Sequence, residues 1–141
     1  MRKDTSELLR ELEQFSDFKR FYRENAGQML RISAAGALTS LMAEKGLQKS
    51  AVVSRSQLCE VYAYQILSGV RPNPSRGKLL CLTLAMGLTL EETQTLLKQT
   101  GYAPLYAREP FDCVVIYGII HGMDVVQVNA LLYEYLQTTL E

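Results

Sequence analysis

Tryptophan is missing from this 141-residue chain, histidine occurs once, at His121, and cysteine three times. One histidine, with no CxxC pair, supplies no Cys/His set at metal-ligand spacing. Also lacking are a Ser/His/Asp set, a glycine-rich phosphate loop and a carboxylate–histidine cluster. No enzymatic activity, no metal and no cofactor is therefore expected. Cys59, Cys81 and Cys113 are odd in number and stand in mostly apolar helical contexts. They read as reduced thiols, buried or half-buried, in a cytoplasmic protein. No apolar run approaches the roughly 18 residues of a membrane span. The opening MRKDTSELLRELEQF carries acids throughout and has no apolar signal core, so it does not read as a secretion signal. Net charge is lacking too, because fifteen basic residues balance fifteen acidic ones. No global positive field announces a polyanion partner.

The balance is uneven along the chain. Over residues 34–101, Lys45, Lys49, Arg55, Arg71, Arg76, Lys78 and Lys98 stand against Glu44, Glu60, Glu91 and Glu92. Beyond residue 101, Arg108 alone faces Glu109, Asp112, Asp124, Glu134 and Glu141. The middle is mildly basic and the end acidic. With 48% apolar and 21% charged residues, the composition is that of an ordinary globular protein, long enough for one domain with a core.

Helical periodicity dominates. Thr5 or Ser6 begins an amphipathic helix with Leu8, Leu9, Leu12 and Phe15 on one face. A break at Ser16-Asp17 starts a second segment, Phe18 to Arg23, which Gly27 interrupts. Its Lys19, Arg20 and Arg23 read as a solvated face, and its apolar stripe as a packing face toward its own domain or a second subunit. Ser33 caps a helix over Ala34 to Lys45 with Leu38, Leu41 and Met42 inward, and Gly46 stops it in the left-handed region. Ser75 caps Arg76 to Met86, with Leu79, Leu80, Leu82 and Leu84 mostly inward, and Gly87 stops it. Thr89 caps Leu90 to Thr100, where Glu91 and Glu92 suit the positive end of the helix dipole. Pro110 opens a helix reaching His121, read as a C-terminal residue meeting the dipole, and Asp124 caps Val125 to about Leu136. CVVIYGII at 113–120 is rich in β-branched residues, but an internal echo favours a helix. Leu80, Leu84, Gly87, Leu96 and Leu97 recur thirty-five residues on as Val115, Ile119, Gly122, Leu131 and Leu132. Two such units do not make a solenoid; they read as stacked helical hairpins. Tyr102, Tyr106, Tyr117, Tyr133 and Tyr135 crowd the second half, as rings do at interfaces or at a half-exposed core edge.

Between Gly46 and Gly69 lies GLQKSAVVSRSQLCEVYAYQILSG, two short helices and a tight turn. Gln48 caps the first, Ser56-Gln57-Leu58 makes the bend, and Cys59 to Ser68 forms the second. Leu58, Tyr62 and Ile66, with Ala63 and Leu67, are its buried face; Val61, Tyr64, Gln65 and Ser68 face outward, with Glu60 at the edge.

Gly46-Leu47, the spacing to Leu58, Ile66 before Gly69, and the sequel Asn73-Pro74-Ser75 together resemble the helix-turn-helix of the phage-repressor/Cro-type (XRE) family. The resemblance covers Ser33 to about Gly101. It implies an all-α fold with a lambda-repressor-like five-helix DNA-binding core over 33–101; outside it, the periodicity reads residues 1–32 as an N-terminal helical arm and 102–141 as a C-terminal helical hairpin packed on the core. The resemblance implies a sequence-specific transcriptional regulator of double-stranded DNA, acting as a homodimer. With no ligand-binding domain left over and no long apolar run, neither a small-molecule effector nor a membrane partner is expected. Cys59 would start the recognition helix, in place of the family's Ser or Thr cap. Glu60, Val61 and Gln65 take the places of base-edge readers, with Tyr64 beside them. Gln65 could pair bidentately with adenine, Val61 meet a thymine methyl and Glu60 accept from a cytosine amino group. Lys49 and Ser50 would bind a phosphate at a helix N-terminus, and Arg71 and Asn73 would hold the DNA backbone on the other side. Arg76 and Lys78 are weaker candidates. The alternative is a protein-interaction adaptor, or an antagonist of another regulator, on the same scaffold.

Overall fold

A computed structural model describes residues 3–25 and 32–141, and every regular element among them is an α-helix. The chain divides into two compact units, residues 1–30 and 31–141.

The first unit holds α1 (Thr5–Gln14) and α2 (Phe18–Asn25). Asp4, not Thr5 or Ser6, caps α1: its carboxylate accepts from the Glu7 N–H at 2.8 Å, which puts both hydroxyl residues inside the first turn. A charged acceptor at that position also meets the positive helix end, so it outcompetes its neighbours. Phe21 is buried edge-to-face against Phe15, with ring centres 5.7 Å apart. Asn25 is buried beneath them. Its amide donates to the Phe21 carbonyl, and its oxygen accepts from Lys3 Nζ, which also holds Glu11. No residue of α1 is buried, and Leu9 and Leu12 stay exposed. The expected break at Gly27 lies outside the described residues.

The second unit runs α3 (Ala34–Lys45), α4 (Lys49–Ser56), α5 (Glu60–Ser68), α6 (Arg76–Ala85), α7 (Leu90–Gln99), α8 (Pro110–Ile120) and α9 (Val125–Leu136). Ser33, Ser75, Thr89 and Asp124 each cap their helix by accepting a backbone N–H, as their positions predict. Thr89 with Glu92 and Asp124 with Gln127 close reciprocal capping boxes. Helix α6 is central. Gly77 and Leu79 to Ala85 are all buried, so the helix is covered on every side, more than its leucines alone suggest. It packs against α4 and α9, while α5 lies on α3 and α8 pairs with α9.

The internal echo extends further than two units. Gly46-Leu47-Gln48, Gly87-Leu88-Thr89 and Gly122-Met123-Asp124 make the same corner, each with its glycine at φ near +67°. In each, the glycine N–H bonds three residues back and the next N–H five residues back, the paired bonds of a Schellman motif. The apolar residue that follows then turns into the core or its edge. Helix α8 is confirmed as helix, and Gly118 at its middle explains its composition. A Cβ there would stand 2.5 Å from Val128 Cγ2, so the glycine lets α8 and α9 close on each other.

A half-buried ion pair joins this hairpin to α6. Both Arg76 Nη groups donate to Asp112, at 2.8 and 3.0 Å, while Nε donates to the Ala103 carbonyl and Nη2 also to that of Pro104. Asp112 accepts in addition from the Tyr106 N–H at 2.9 Å. Gln94 brackets Leu105 by bonding both its N–H and its carbonyl, and the Tyr102 hydroxyl donates to the Pro74 carbonyl. Arg76 is thus committed to the loop after α7, which removes it as a phosphate candidate. Burial by itself would raise the Asp112 carboxyl; the bonds from Arg76 and Tyr106 and the guanidinium charge outweigh it and hold the carboxyl below its usual range.

Two predictions follow from this packing. A carboxyl depressed on folding contributes stability that is present above its unfolded value, about 3.9, and is lost as pH falls through the folded value. Asp112→Ala should therefore lower stability by about 2 to 4 kcal/mol at neutral pH, and by much less in strong acid, as read by urea unfolding across pH. Gly118→Ala should cost about 1 to 3 kcal/mol through overpacking, shifting the urea midpoint with an unchanged slope.

Candidate nucleic-acid interface

The α4–α5 pair is built around its turn. Gln57 takes the left-handed conformation at φ 62°, unusual for a residue with a side chain. Ser56, fully buried, stitches the bend by donating to the Val53 carbonyl at 2.7 Å and accepting from the Leu58 N–H at 3.2 Å. Gln48 occupies the cap position of α4, but contrary to expectation its side chain makes no cap bond. Cys59 stands at the cap position of α5 and, as a thiol in the place of a Ser or Thr predicts, makes no side-chain cap bond either. A thiol is a weak acceptor and a long amide reaches past the first-turn N–H groups, so both helices begin without the side-chain cap that α3, α6, α7 and α9 carry.

Rotation of α5 also differs from the reading of its periodicity. Ala63, Ile66 and Leu67 are its buried residues, whereas Leu58 and Tyr62 are only partly buried. The small Ala63 lets α5 settle close on the core along that line. Tyr62 is thereby left at the rim, where it serves a purpose that spacing did not reveal. Arg71 lies over its ring with the guanidinium carbon 4.5 Å from the ring centre, and Lys78 Nζ stands 5.3 Å from the same centre. Arg71 Nε also donates to the Gln65 amide oxygen at 2.7 Å, and the Arg71 N–H bonds the Gln65 carbonyl at 3.1 Å. The exit from α5 at Gly69 thus winds wider than the corners at Gly46, Gly87, Gly101 and Gly122 and folds the loop back on the helix. Arg71 falls past the helix stop, so helical spacing carried no signal of this contact.

Lys49, Glu60, Val61, Tyr64 and Gln65, together with Leu67 and Ser68, line one shallow groove of about 390 Å³. Ser50 lines an adjoining depression with Ser54, Gln57 and Leu58, and Glu60 and Tyr64 border both. Six of the eight candidate residues therefore gather on one face: Lys49, Ser50, Glu60, Val61, Tyr64 and Gln65. Arg71 joins them through Gln65. Asn73 does not, since it lines a separate cavity with Pro72, Pro74, Ser33 and Tyr102. Val61, which lines the groove, is 64% exposed.

Lys45 Nζ pairs with Glu92 at 2.8 Å, and that bond, with the capping bond to Thr89, holds the Glu92 carboxyl below its usual range. Among the described residues no group of three His, Cys, Asp or Glu is placed to hold a metal ion, and no helix is long and apolar enough to cross a membrane. His121 is the C-cap residue of α8 and stacks on Tyr117, with ring centres 4.1 Å apart. Tyr106, Tyr117, Tyr133 and Tyr135 are exposed, while Tyr102 is partly buried. The cysteines part company with expectation: Cys81 is buried, but Cys59 and Cys113 are exposed, one at the α5 cap and one on the outer side of α8. Burial pushes the Cys81 thiol up to about 11.

No protein-family model matches the chain, and neither a curated protein nor a solved structure matches it significantly.

The thiols give a direct check on the orientation of α5 and α8. Alkylation of the native protein should modify two thiols, Cys59 and Cys113, quickly, and Cys81 only on unfolding; peptide mass mapping reads the order.

Proposed function

We propose that the chain is a sequence-specific DNA-binding transcriptional regulator of the phage-repressor/Cro type. In this reading α3 to α7 are the five-helix core, α4–α5 the helix-turn-helix, and α5 the helix that enters the major groove. One observation carries it. Lys49 and the uncapped N-terminus of α4 stand beside the outward face of α5, so donors for a phosphate and tips for base edges share one groove. Val61 then meets a thymine methyl and Glu60 accepts from a cytosine amino group. With few free cations, a single copy gains little from counterion release, so the mechanism calls for a homodimer on two half-sites about one helical turn apart. The exposed tyrosines of the C-terminal hairpin suit that pairing.

A second reading, an adaptor that binds another protein through the same face, is favoured by the exposure of Val61 in the groove. The two readings separate by salt. On DNA, affinity should fall steeply with added salt, and Lys49→Glu should reduce the slope of log affinity against log salt by about 1. Gln65→Ala should weaken selected sequences while leaving that slope in place. Titrating a fluorescent duplex pool at several salt concentrations measures both. No duplex retention at low salt, and no change on either substitution, would transfer the groove to the adaptor reading.

A further inference from the structure

We infer that the α1–α2 hairpin is a self-association surface, through which two copies of the chain pair with α1 of each lying on α2 of the other. It supplies the two-fold pairing that the DNA-binding reading calls for, but it rests on the hairpin alone. The two helices are antiparallel. Lys3, just ahead of α1, bonds Asn25 at the end of α2 at 2.7 Å, and Phe15 meets Phe21 beside the connecting turn. They face each other along the half-buried Leu8, Glu11 and Phe15 on α1 and the buried Phe21 and Asn25 on α2. From that line, Leu12 and Leu9 turn round α1 in the same sense as Phe18 and Tyr22 turn round α2. In an antiparallel pair equal senses fall on one side, so these four residues share a side of the hairpin. Their exposures are 45% (Leu12), 56% (Leu9), 67% (Phe18) and 52% (Tyr22), and the two rings lie 6.0 Å apart. The opposite side carries Glu7 and Gln14 on α1 and the Arg20–Glu24 pair on α2. One side of the hairpin is apolar and the other polar.

A unit of this size does not enclose a core by itself. Below about 40 residues a fold usually draws on disulfides, a metal or another subunit. No residue of α1 is buried, and residues 1–30 contain neither cysteine nor histidine, which leaves a partner. Charge selects that partner. On α1, Glu7, Glu11 and Glu13 outnumber Arg10; on α2, Lys19, Arg20 and Arg23 outnumber Glu24. A second copy is complementary when its hairpin is turned over about a two-fold axis along the helices, which brings each α1 onto the partner's α2. That rotation keeps the level along the helices. Leu9 and Leu12 then meet the partner's Tyr22 and the partner's Phe18, and Glu13 meets the partner's Lys19 near the turn. Neither Glu13 nor Lys19 has an ion pair of its own among the described residues. The other face-to-face pairing would set α1 on α1, acid against acid. The favoured one closes a four-helix bundle whose core is the apolar side.

Sedimentation of the full chain over a range of concentrations, without DNA, tests the pairing. The wild type should dimerise. Leu9→Ser, at a side chain exposed in the single chain, should raise the dissociation constant about 5- to 30-fold. Glu13→Lys and Lys19→Glu should each raise it about 2- to 10-fold, because each sets like charges together at two symmetric contacts. The two combined should restore it. Circular dichroism checks the helicity of every variant, and if Leu9→Ser loses helicity the charge exchange alone decides. A wild type that stays monomeric, a dimer indifferent to Leu9→Ser but broken by Tyr133→Ser, or a double charge variant that is not restored overturns the pairing. The DNA-binding reading fails separately: a chain that dimerises in this way and retains no duplex at low salt removes that reading and leaves the hairpin interface standing.

Discussion

The bond between Arg76 and Asp112 is the contact on which the larger unit depends. It joins the first residue of the central helix to the first turn of α8 across 36 positions of sequence, and its remaining donors hold the carbonyls of Ala103 and Pro104. A charge pair with the acid side chain only 6% exposed is costly to desolvate. It is sustained here because the carboxylate is also bound by a backbone N–H and the guanidinium by two carbonyls, so few lone pairs or protons go unmet. It also withdraws Arg76 from any partner, as the separate pair with Glu92 does Lys45, while Lys49 lines the groove and Arg71 and Lys78 gather at the Tyr62 ring.

Local features of the fold were legible in the sequence because they are made by neighbours. Ser33, Ser75, Thr89 and Asp124 cap within three residues, and Gly46, Gly87 and Gly122 stop helices through bonds that reach back at most five. Where competition was among adjacent candidates, as with Asp4 against Thr5 and Ser6, position alone did not rank them and the charge did. The central helix shows the opposite limit. Its leucines announced a helix, but that Thr83 is buried as well follows from α4 and α9 packing on it, which no single-helix pattern contains.

The candidate interface was legible in its membership and less so in its wiring. Glu60, Val61, Tyr64 and Gln65 do share a groove, since helical spacing fixes which residues of α5 stand together, and the α4–α5 turn brings Lys49 to them. Asn73 stands apart because two prolines steer the loop away after Arg71. The link between Gln65 and Arg71 crosses a helix stop, and the platform beneath it depends on α5 turning its Ala63 line inward instead of Tyr62. Both are tertiary choices. The exposed thiol of Cys59 has the same origin, as it sits between two helices rather than inside one.

The ring of Tyr62 has a consequence for the thermodynamics of association. A long, exposed arginine usually loses rotamer freedom when it meets a partner, at a cost of about 0.5 to 1.5 kcal/mol for each side chain immobilised. Arg71 is already stacked on Tyr62 and fastened to Gln65 in the free protein. Much of that ordering is therefore completed during folding, where the packing of α5 supports it. Whatever occupies the groove meets a side chain with little entropy left to lose.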